Sequence, residues 1–556
     1  MNHNHRQVQA TFVTIKTATA VAFSLLTLLF LVTAATVPAQ AQTPVVLYNF
    51  VNGSSDAAGP MGNIVQGRDG HMYGVGASIG RGANGTGAIY KISPSGAESV
   101  FFNFPATFHG CISGLTLGSD GNFYGTCSDN SATGLGSLYR LTPAGVFTDM
   151  HDFASGQQAG SFPPIQAADG NYYGVVSTGV YKMTPAGVFT TIHTFVSPDV
   201  QPLSNLFQAS DGNLYATITL CVLSGNRGCV YKVSTGGTYK NIYGFADPTG
   251  SSPCTGVIQG KDGKLYGATG FGRPLNDGNI YKVTTAGVNT GLHDFNSVTD
   301  GVCNPGSFPV VNLLQVTDGS FYGINYGGGG GNTGSIYKLT SANVFSVFLF
   351  PNTGASGSQP YSTLLQNTNG LVYGTTSSGG ANSVGNFFGV ATGDVPFVNL
   401  EPTEKTGNVG ASVGMFGQGF SSASVVKFGG VAAKSKTLTG TTYLTAVVPA
   451  GAHTGPVTVT TGTTTLTSPQ TYKVKPKITT FTPSSGPEGT LVTIHGTGLI
   501  QATTVKFGTV KATTFTVVSD VEVTADVPSG LAAGAVVISI TTPGGTATSP
   551  TKFTVQ

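Results

Sequence analysis

The chain of 556 residues contains 81 glycines, no tryptophan, 9% charged residues and a formal net charge of +2. Glycine stands at about twice its usual ~7% share and charge far below the usual ~25%. So sparse and balanced a charge leaves no electrostatic footprint for nucleic acid, and no 3.6-residue apolar period follows the first 40 residues, which excludes a helical core.

Residues 1–41 read as a processing segment. Arg6 and Lys16 precede the apolar run 17–37, and Ala39-Gln40-Ala41 fits the small-residue cleavage rule. The run is just long enough to span a bilayer, so an uncleaved anchor is the alternative. On the cleaved reading the protein is exported, to the envelope, the cell surface or the medium, with no later membrane span. From Val45 onward, short runs such as "VVLYNF", "VFTTIHTF" and "TVKFGTV" are rich in β-branched and aromatic residues and bounded by Gly, Pro, Asn and Asp. This pattern predicts an all-β protein.

A motif of the type Asp-Gly-x-x-Tyr-Gly begins at Asp69, Asp120, Asp169, Asp211, Asp262 and Asp318, with Asn369 opening a seventh copy, at steps of 42 to 56 residues. Periods of this length signal propellers or solenoids. Within each unit an apolar run such as "NLLQ" meets the Asp-Gly turn, "SFYG" leaves it, a Gly-rich loop leads to "SIYKL", and a Thr-Pro-Ala-Gly-type turn leads to a last run. Four strands and two tight turns make a propeller blade. The chain ends decide against a solenoid. Unit seven runs through "ATGDV" without its last strand, and Val45–Phe50 supplies a run matching that strand before the first complete unit. A first strand that completes the last blade closes a ring and removes exposed edges.

Asp in such a turn bonds its own backbone two residues on, and Gly supplies positive φ, so the repeated aspartates are expected to turn the chain rather than to catalyse. Lys91, Arg140, Lys182, Lys232, Lys282 and Lys338 each follow the aromatic of the third strand, near the Asp-Gly end. In unit seven the acid becomes Asn369 and the cation becomes Gly389. This joint loss predicts one desolvated Asp–cation pair per blade.

The short turns fall on one face of the disc. The opposite face carries the long loops 77–87, 128–136, 219–228, 270–278 and 325–334, where a functional surface is expected. All six cysteines map to that face. Outside the cytoplasm disulfides persist, and among fifteen connectivities spacing ranks Cys111–Cys127, Cys221–Cys229 and Cys254–Cys303 first. None has the spacing of a zinc site, the calcium-loop pattern is absent, and no metal or other cofactor is expected.

Catalytic residues are scarce. Glu98 is the single glutamate between residues 42 and 395, so a Glu-pair glycosidase is disfavoured. His151-Asp152 and His293-Asp294 resemble His-Asp dyads, but Tyr48, Phe102, His193, Tyr243 and Phe348 hold the same His position, which reads as an aromatic packing slot. The "GGGGG" at 327–331 lacks the rest of a phosphate loop. No catalytic residue is assigned, and the chain is expected not to be an enzyme.

After Val395 the period changes. "VVKFGGVAA" and "TVKFGTVKA" lie 79 residues apart, as do Val448-Pro449 and Val527-Pro528. Two tandem β-sandwiches follow from strand-like runs at this spacing, over 396–475 and 476–556. Residues 476–556, with "PSSGPEGTLVTIHGTGL" and "VTADVPSGLAAGAVVISITTPGG", resemble an IPT/TIG domain, which implies an immunoglobulin-like fold, and 396–475 is similar. The "DGxxYG … IYKLTPAG" units over about 45–395 resemble the GloVer tandem repeat of exported bacterial proteins. That resemblance implies an envelope or secreted protein and carries no catalytic residues.

The expectation is a seven-bladed β-propeller over 42–395 followed by two immunoglobulin-like domains. Its expected function is binding or adhesion through the loop face, with an extracellular glycan, cell-wall polymer or surface protein as partner. A propeller lyase or hydrolase and a purely architectural envelope protein are the alternatives, and the ligand-binding residues are left unassigned.

Overall fold

The computed structural model describes residues 43–556 except 52–55, 77–86, 131–132, 161, 198, 203, 222–224, 226, 247–249, 273–276, 301–311, 328–331 and 351–355. The processing segment therefore lies outside the described residues, as do parts of the loop face. All regular elements described are strands, and among the described residues no helix is long and apolar enough to cross a membrane.

Residues 45–390 form seven antiparallel sheets of four or five strands, with a two-stranded ribbon of Phe108–His109 and Asp129–Asn130 beside them. In a representative blade Leu314–Gln315, Phe321–Asn325, Ser335–Leu339 and Phe345–Leu349 pair in sequence order, each strand with the next. The second strands are buried at every position from Phe321 to Asn325. The third bury all but the repeated cation, Lys338 here. Such runs are continuous in hydrophobicity because both sheet faces are covered by neighbouring blades. Val45–Asn49 pairs antiparallel with Asn386–Val390 and forms the outer strand of the last sheet.

The core is divided among the blade interfaces rather than held in one mass. Separate apolar clusters join successive blades, such as Tyr73, Ile89, Phe123 and Tyr139 between the first two. At the seam, Phe50, Met72, Tyr90, Tyr373 and Phe387 join the last blade to the first. The Tyr-Gly pair of each motif now has a steric reason. A Cβ built on Gly323 would lie 2.3 Å from the ring of Tyr337, the cross-strand aromatic that fills the space above it.

The chain leaves the last blade at the turn face, where its third-to-fourth strand turn would be, and enters the first sandwich. There the sheet Asn399–Leu400, Ser412–Phe416, Tyr443–Val447 and Lys436–Thr439 faces a five-stranded sheet that includes Gly455–Thr461 and Thr464–Val474. The second sandwich repeats this strand order, with Leu491–Thr497 and Gly545–Val555 in the corresponding places. Each has its own apolar core, around Phe428 and Leu444 in the first and Phe507 and Ile540 in the second. The first sandwich packs on the turn face of the propeller. Arg68 Nη2 meets Glu401 Oε1 at 2.7 Å and its guanidinium lies 4.5 Å from the Tyr443 ring centroid. Thr442 Oγ1 donates to the Arg68 carbonyl, and Thr368 Oγ1 donates to the Gly417 carbonyl.

Candidate functional site

The Asp-Gly turns surround the axis on the face that the first sandwich covers. In each of the seven, a carboxylate or amide Oδ1 accepts the backbone N–H two residues on, from His71 to Asp69 at 3.2 Å through to Leu371 to Asn369 at 3.0 Å. This is the expected local turn geometry. The second carboxylate oxygen has a partner the sequence reading missed. The motif's tyrosine hydroxyl donates to Asp69, Asp120, Asp169, Asp211 and Asp262 at 2.7–2.9 Å. In the seventh blade the bond reverses, and Asn369 Nδ2 donates to Tyr373 Oη at 2.8 Å.

The cations are not the general partners expected. Lys91, Lys182 and Lys338 reach Asp69, Asp169 and Asp318 at 2.7, 3.7 and 3.3 Å, with both partners well hydrated. No ion pair joins Arg140, Lys232 or Lys282 to its turn aspartate among the described residues; Arg140 turns to the Thr148 hydroxyl, and Asp262 meets Lys264 instead. The expectation of one desolvated pair per blade holds only in part: three of the six cations reach their aspartates, in hydrated pairs, whereas the tyrosine hydroxyl bonds the acid in five blades. Burial pushes the Asp169 carboxyl up. The bonds from Asn171 and Tyr173, with Lys182 nearby, more than offset this and hold it below the usual range. Asp211 behaves alike.

Inside the turns lies a ring of glutamines at the end of the innermost strands. Gln208 Nε2 donates to the Gly212 carbonyl of its own turn, and its Oε1 accepts the Ala168 N–H of the preceding blade. Gln166, Gln259, Gln315 and Gln366 accept from Ser119, Ser210, Lys261 and Thr317 in the same way. Gln66 closes the seam by accepting from Thr368. The series breaks where the second blade carries Leu117. There Arg68 Nη2 donates to the Ser119 carbonyl and joins Glu401. A signal for this ring was present in the sequence, as Gln three positions before six of the seven Asp or Asn residues.

Two cavities open beside this ring, beneath the first sandwich. The larger, of about 480 Å³, has walls that include Phe207, Leu314, Gln315, Phe397, Lys405 and Gln470. The smaller, of about 280 Å³, includes Asn63, Gln66, Leu117, Glu401 and Phe416. Gln366 and Asn399 line both. These volumes span the lower range of small-molecule sites. Gln470 Nε2 donates to Asn399 Oδ1, while its Oε1 is buried without a hydrogen-bond partner. Lys405 is an exposed residue on the wall of the larger cavity, and the protein around it pulls its ammonium below the usual lysine range. The expected loop-face site is thus not where the described cavities lie, because the departing chain folds back over the turn face.

The remaining predicted groups are placed as follows. Cys111 pairs with Cys127 and Cys221 with Cys229. Cys254 is disulfide-bonded, and Cys303 lies outside the described residues. His151 stacks on Phe189 at 3.9 Å and 6°, and His293 stacks on Phe345 at 3.5 Å and 11°. His293 Nε2 meets Asp300, not Asp294, at 3.0 Å. Gly328–Gly331 lie outside the described residues. At the seam Tyr48 Oη donates to Asp56 Oδ2 at 2.8 Å. Burial, with Asp56 adding like charge, pushes Glu98 up to about 7. Burial and then Asp152 push Asp149 up to about 6.

No curated protein matches the chain. Among solved structures it is similar to a streptogramin B lyase at 16% identity, covering 62% of this chain and 96% of that one with a TM-score of 0.43. The virginiamycin B lyase of Staphylococcus aureus gives 16%, 62%, 96% and 0.42, and a copper-bound fungal alcohol oxidase of the AA5 family gives 14%, 78%, 98% and 0.45. The expectation that the chain is not an enzyme is corrected on this point: the structures it is similar to include enzymes, so its scaffold gives no ground for excluding catalysis. The IPT/TIG domain model matches residues 476–555. The model of the Gloeobacter/Verrucomicrobia repeat matches residues 30–180 and 164–388, and the chain belongs to that family.

Proposed function

We propose that the protein is an exported binding protein whose ligand enters the axial cavity between the glutamine ring and the first immunoglobulin-like domain. The observation that carries this reading is the 480 Å³ cavity, which has apolar walls and two unpartnered polar groups, Lys405 and Gln470 Oε1. An apolar cavity with a few convergent polar groups is the usual form of a ligand site. Export is supported by the signal-like pattern of residues 1–41 and by the disulfides, which persist outside the cytoplasm. The partner classes of the sequence reading are an extracellular glycan, a cell-wall polymer or a surface protein.

The test is a binding screen of the full chain against oligosaccharides, cell-wall fragments and small amphiphiles, repeated with Leu314→Trp, which fills the cavity. Hits lost in the variant support the axial site. Hits that persist move the site to the loops, and the absence of any hit favours the architectural role.

A second reading, a propeller lyase or hydrolase, is favoured by one observation. Glu98 titrates near neutrality beside Asp56 and Tyr48, which suits general acid–base work. Loss of turnover of a cleavable ligand in Glu98→Gln, with binding retained, is the result that reading requires.

A further inference from the structure

We infer that the ligand of the axial cavity is an organic carboxylate, an anionic head on a largely apolar body, and that Lys405 is the residue that pairs with the head. This rests on the reading of the cavity as the binding site. Two lysines and no carboxylate line the 480 Å³ cavity. Lys261 is already engaged, its Nζ donating to the Thr317 carbonyl at 2.6 Å. The Lys405 side chain has no hydrogen-bond or ion-pair partner among the described residues and keeps contact with water, so its charge on the cavity wall is open to an anionic head.

The neighbouring acids do not supply it. Glu404 accepts the Gly414 N–H, Asp394 accepts from Gln366 and Thr392, and Glu401 accepts from Arg68 and Tyr443. The ring glutamines are likewise spent on backbone groups of two blades, which leaves few free donors for a many-hydroxyl ligand. Phe207, Leu314, Val316 and Phe397 offer instead an apolar wall beside the single free cation. Charge and shape together select an amphiphilic anion over a neutral polar ligand. Burial lowers the lysine's hold on its proton, and a bound carboxylate would strengthen it.

The experiment is calorimetric titration of the full chain with octanoate and, as its uncharged counterpart, 1-octanol. The expected result is octanoate binding at least tenfold tighter than octanol. Lys405→Met should abolish the preference, while Lys405→Arg should keep it. Equal affinity for the two probes, or a preference that survives Lys405→Met, overturns the carboxylate inference and leaves the cavity reading standing. Failure of both probes to bind, together with ligands from the wider screen that ignore Leu314→Trp, overturns both.

Discussion

Gln66 Oε1 accepts the Thr368 N–H at 3.1 Å and its Nε2 donates to the Thr368 hydroxyl at 2.9 Å, across 302 positions of sequence. The seam between first and last blades is therefore held twice, by the borrowed strand Val45–Asn49 on the rim and by this side-chain pair beside the axis. Each such bond contributes about 1 kcal/mol net, and leaving a buried partner unmade costs about 1–3. Gln66→Leu should lower stability by about 2 kcal/mol in urea unfolding. The same change at Gln208 should cost about as much, because the ring treats the seam as one more blade interface. A seam variant that costs nothing would show that the strand alone closes the ring.

The turn aspartates make a prediction about acid. Burial raises the Asp169 and Asp211 carboxyls, but hydrogen bonds from Asn and Tyr, with a nearby lysine, leave both below the usual range. A carboxyl depressed in the folded state contributes stability that is present above its unfolded value and lost as pH falls through the folded one. The double variant Asp169→Asn, Asp211→Asn should therefore lose stability less steeply than wild type between about pH 4 and pH 2. At pH 7 it should differ little, since Asn369 fills the same place in blade seven with the hydrogen bond reversed. Asp169→Ala, which loses turn and latch together, should cost about 1–2 kcal/mol.

Glu98 works in the opposite sense. Burial, then Asp56, raises its carboxyl to about 7 from an ordinary value of 4.5, so the folded protein binds a proton that the unfolded chain has released across that interval. Stability should fall as pH rises from about 4.5 to 7 and level off above it. Glu98 is partly hydrated, so screening cuts the effect to the order of 1 kcal/mol. Glu98→Gln should flatten the melting temperature across this window and raise it at pH 8. A parallel pH profile in the variant would mean that the carboxyl is not buried against Asp56 as described.

What the sequence made legible follows from how far apart the responsible residues lie. Asp120 and Asn122 settle their turn within two residues, and the period of Tyr124 and Gly125 announces strands that cross the same sheet, so blades, borrowed strand and sandwiches could be read from local pattern. The tyrosine latch is also local, four residues from each aspartate, but a tyrosine in a strand pattern fits a packing role equally well, whereas a lysine near an aspartate signals a pair by charge alone. The glutamine ring needed the knowledge that Gln208 stands beside Ala168, 40 positions earlier. The cavity needed Lys405 to be brought to the same wall as Leu314 and Gln315, a placement set by the exit point of the chain and by no periodicity at all.

The repeated glycine offers a steric test. A Cβ on Gly323 meets Tyr337 at 2.3 Å, closer than side chains tolerate, and the buried ring has apolar neighbours on both sides. Overpacking of this kind costs about 1–3 kcal/mol. Gly323→Ala should lower the unfolding midpoint by that amount, and adding Tyr337→Phe should recover part of it by removing the hydroxyl that points at the new methyl. Ala216 is the natural comparison, since it stands opposite Tyr231 in blade four and shows that one blade has already made room.

The junction with the first sandwich predicts an asymmetry. Glu401 is almost wholly buried, while the Arg68 side chain remains 27% exposed. Burial raises the Glu401 carboxyl, and Arg68 and Tyr443 pull it back down. Removing one partner of a buried pair costs most when the charge left behind cannot reach water. Arg68→Met should thus weaken the junction by about 3 kcal/mol, and Glu401→Gln by clearly less, because Arg68 keeps Ser119 and solvent. The loss in Arg68→Met should shrink as pH falls, since an unpaired buried carboxylate takes up a proton and the folded state then binds it more tightly than the unfolded one. Limited proteolysis of the 391–398 linker, with urea unfolding at pH 5 and pH 8, measures both effects. Equal penalties for the two variants would mean that the pair is held by geometry alone and that its burial contributes nothing.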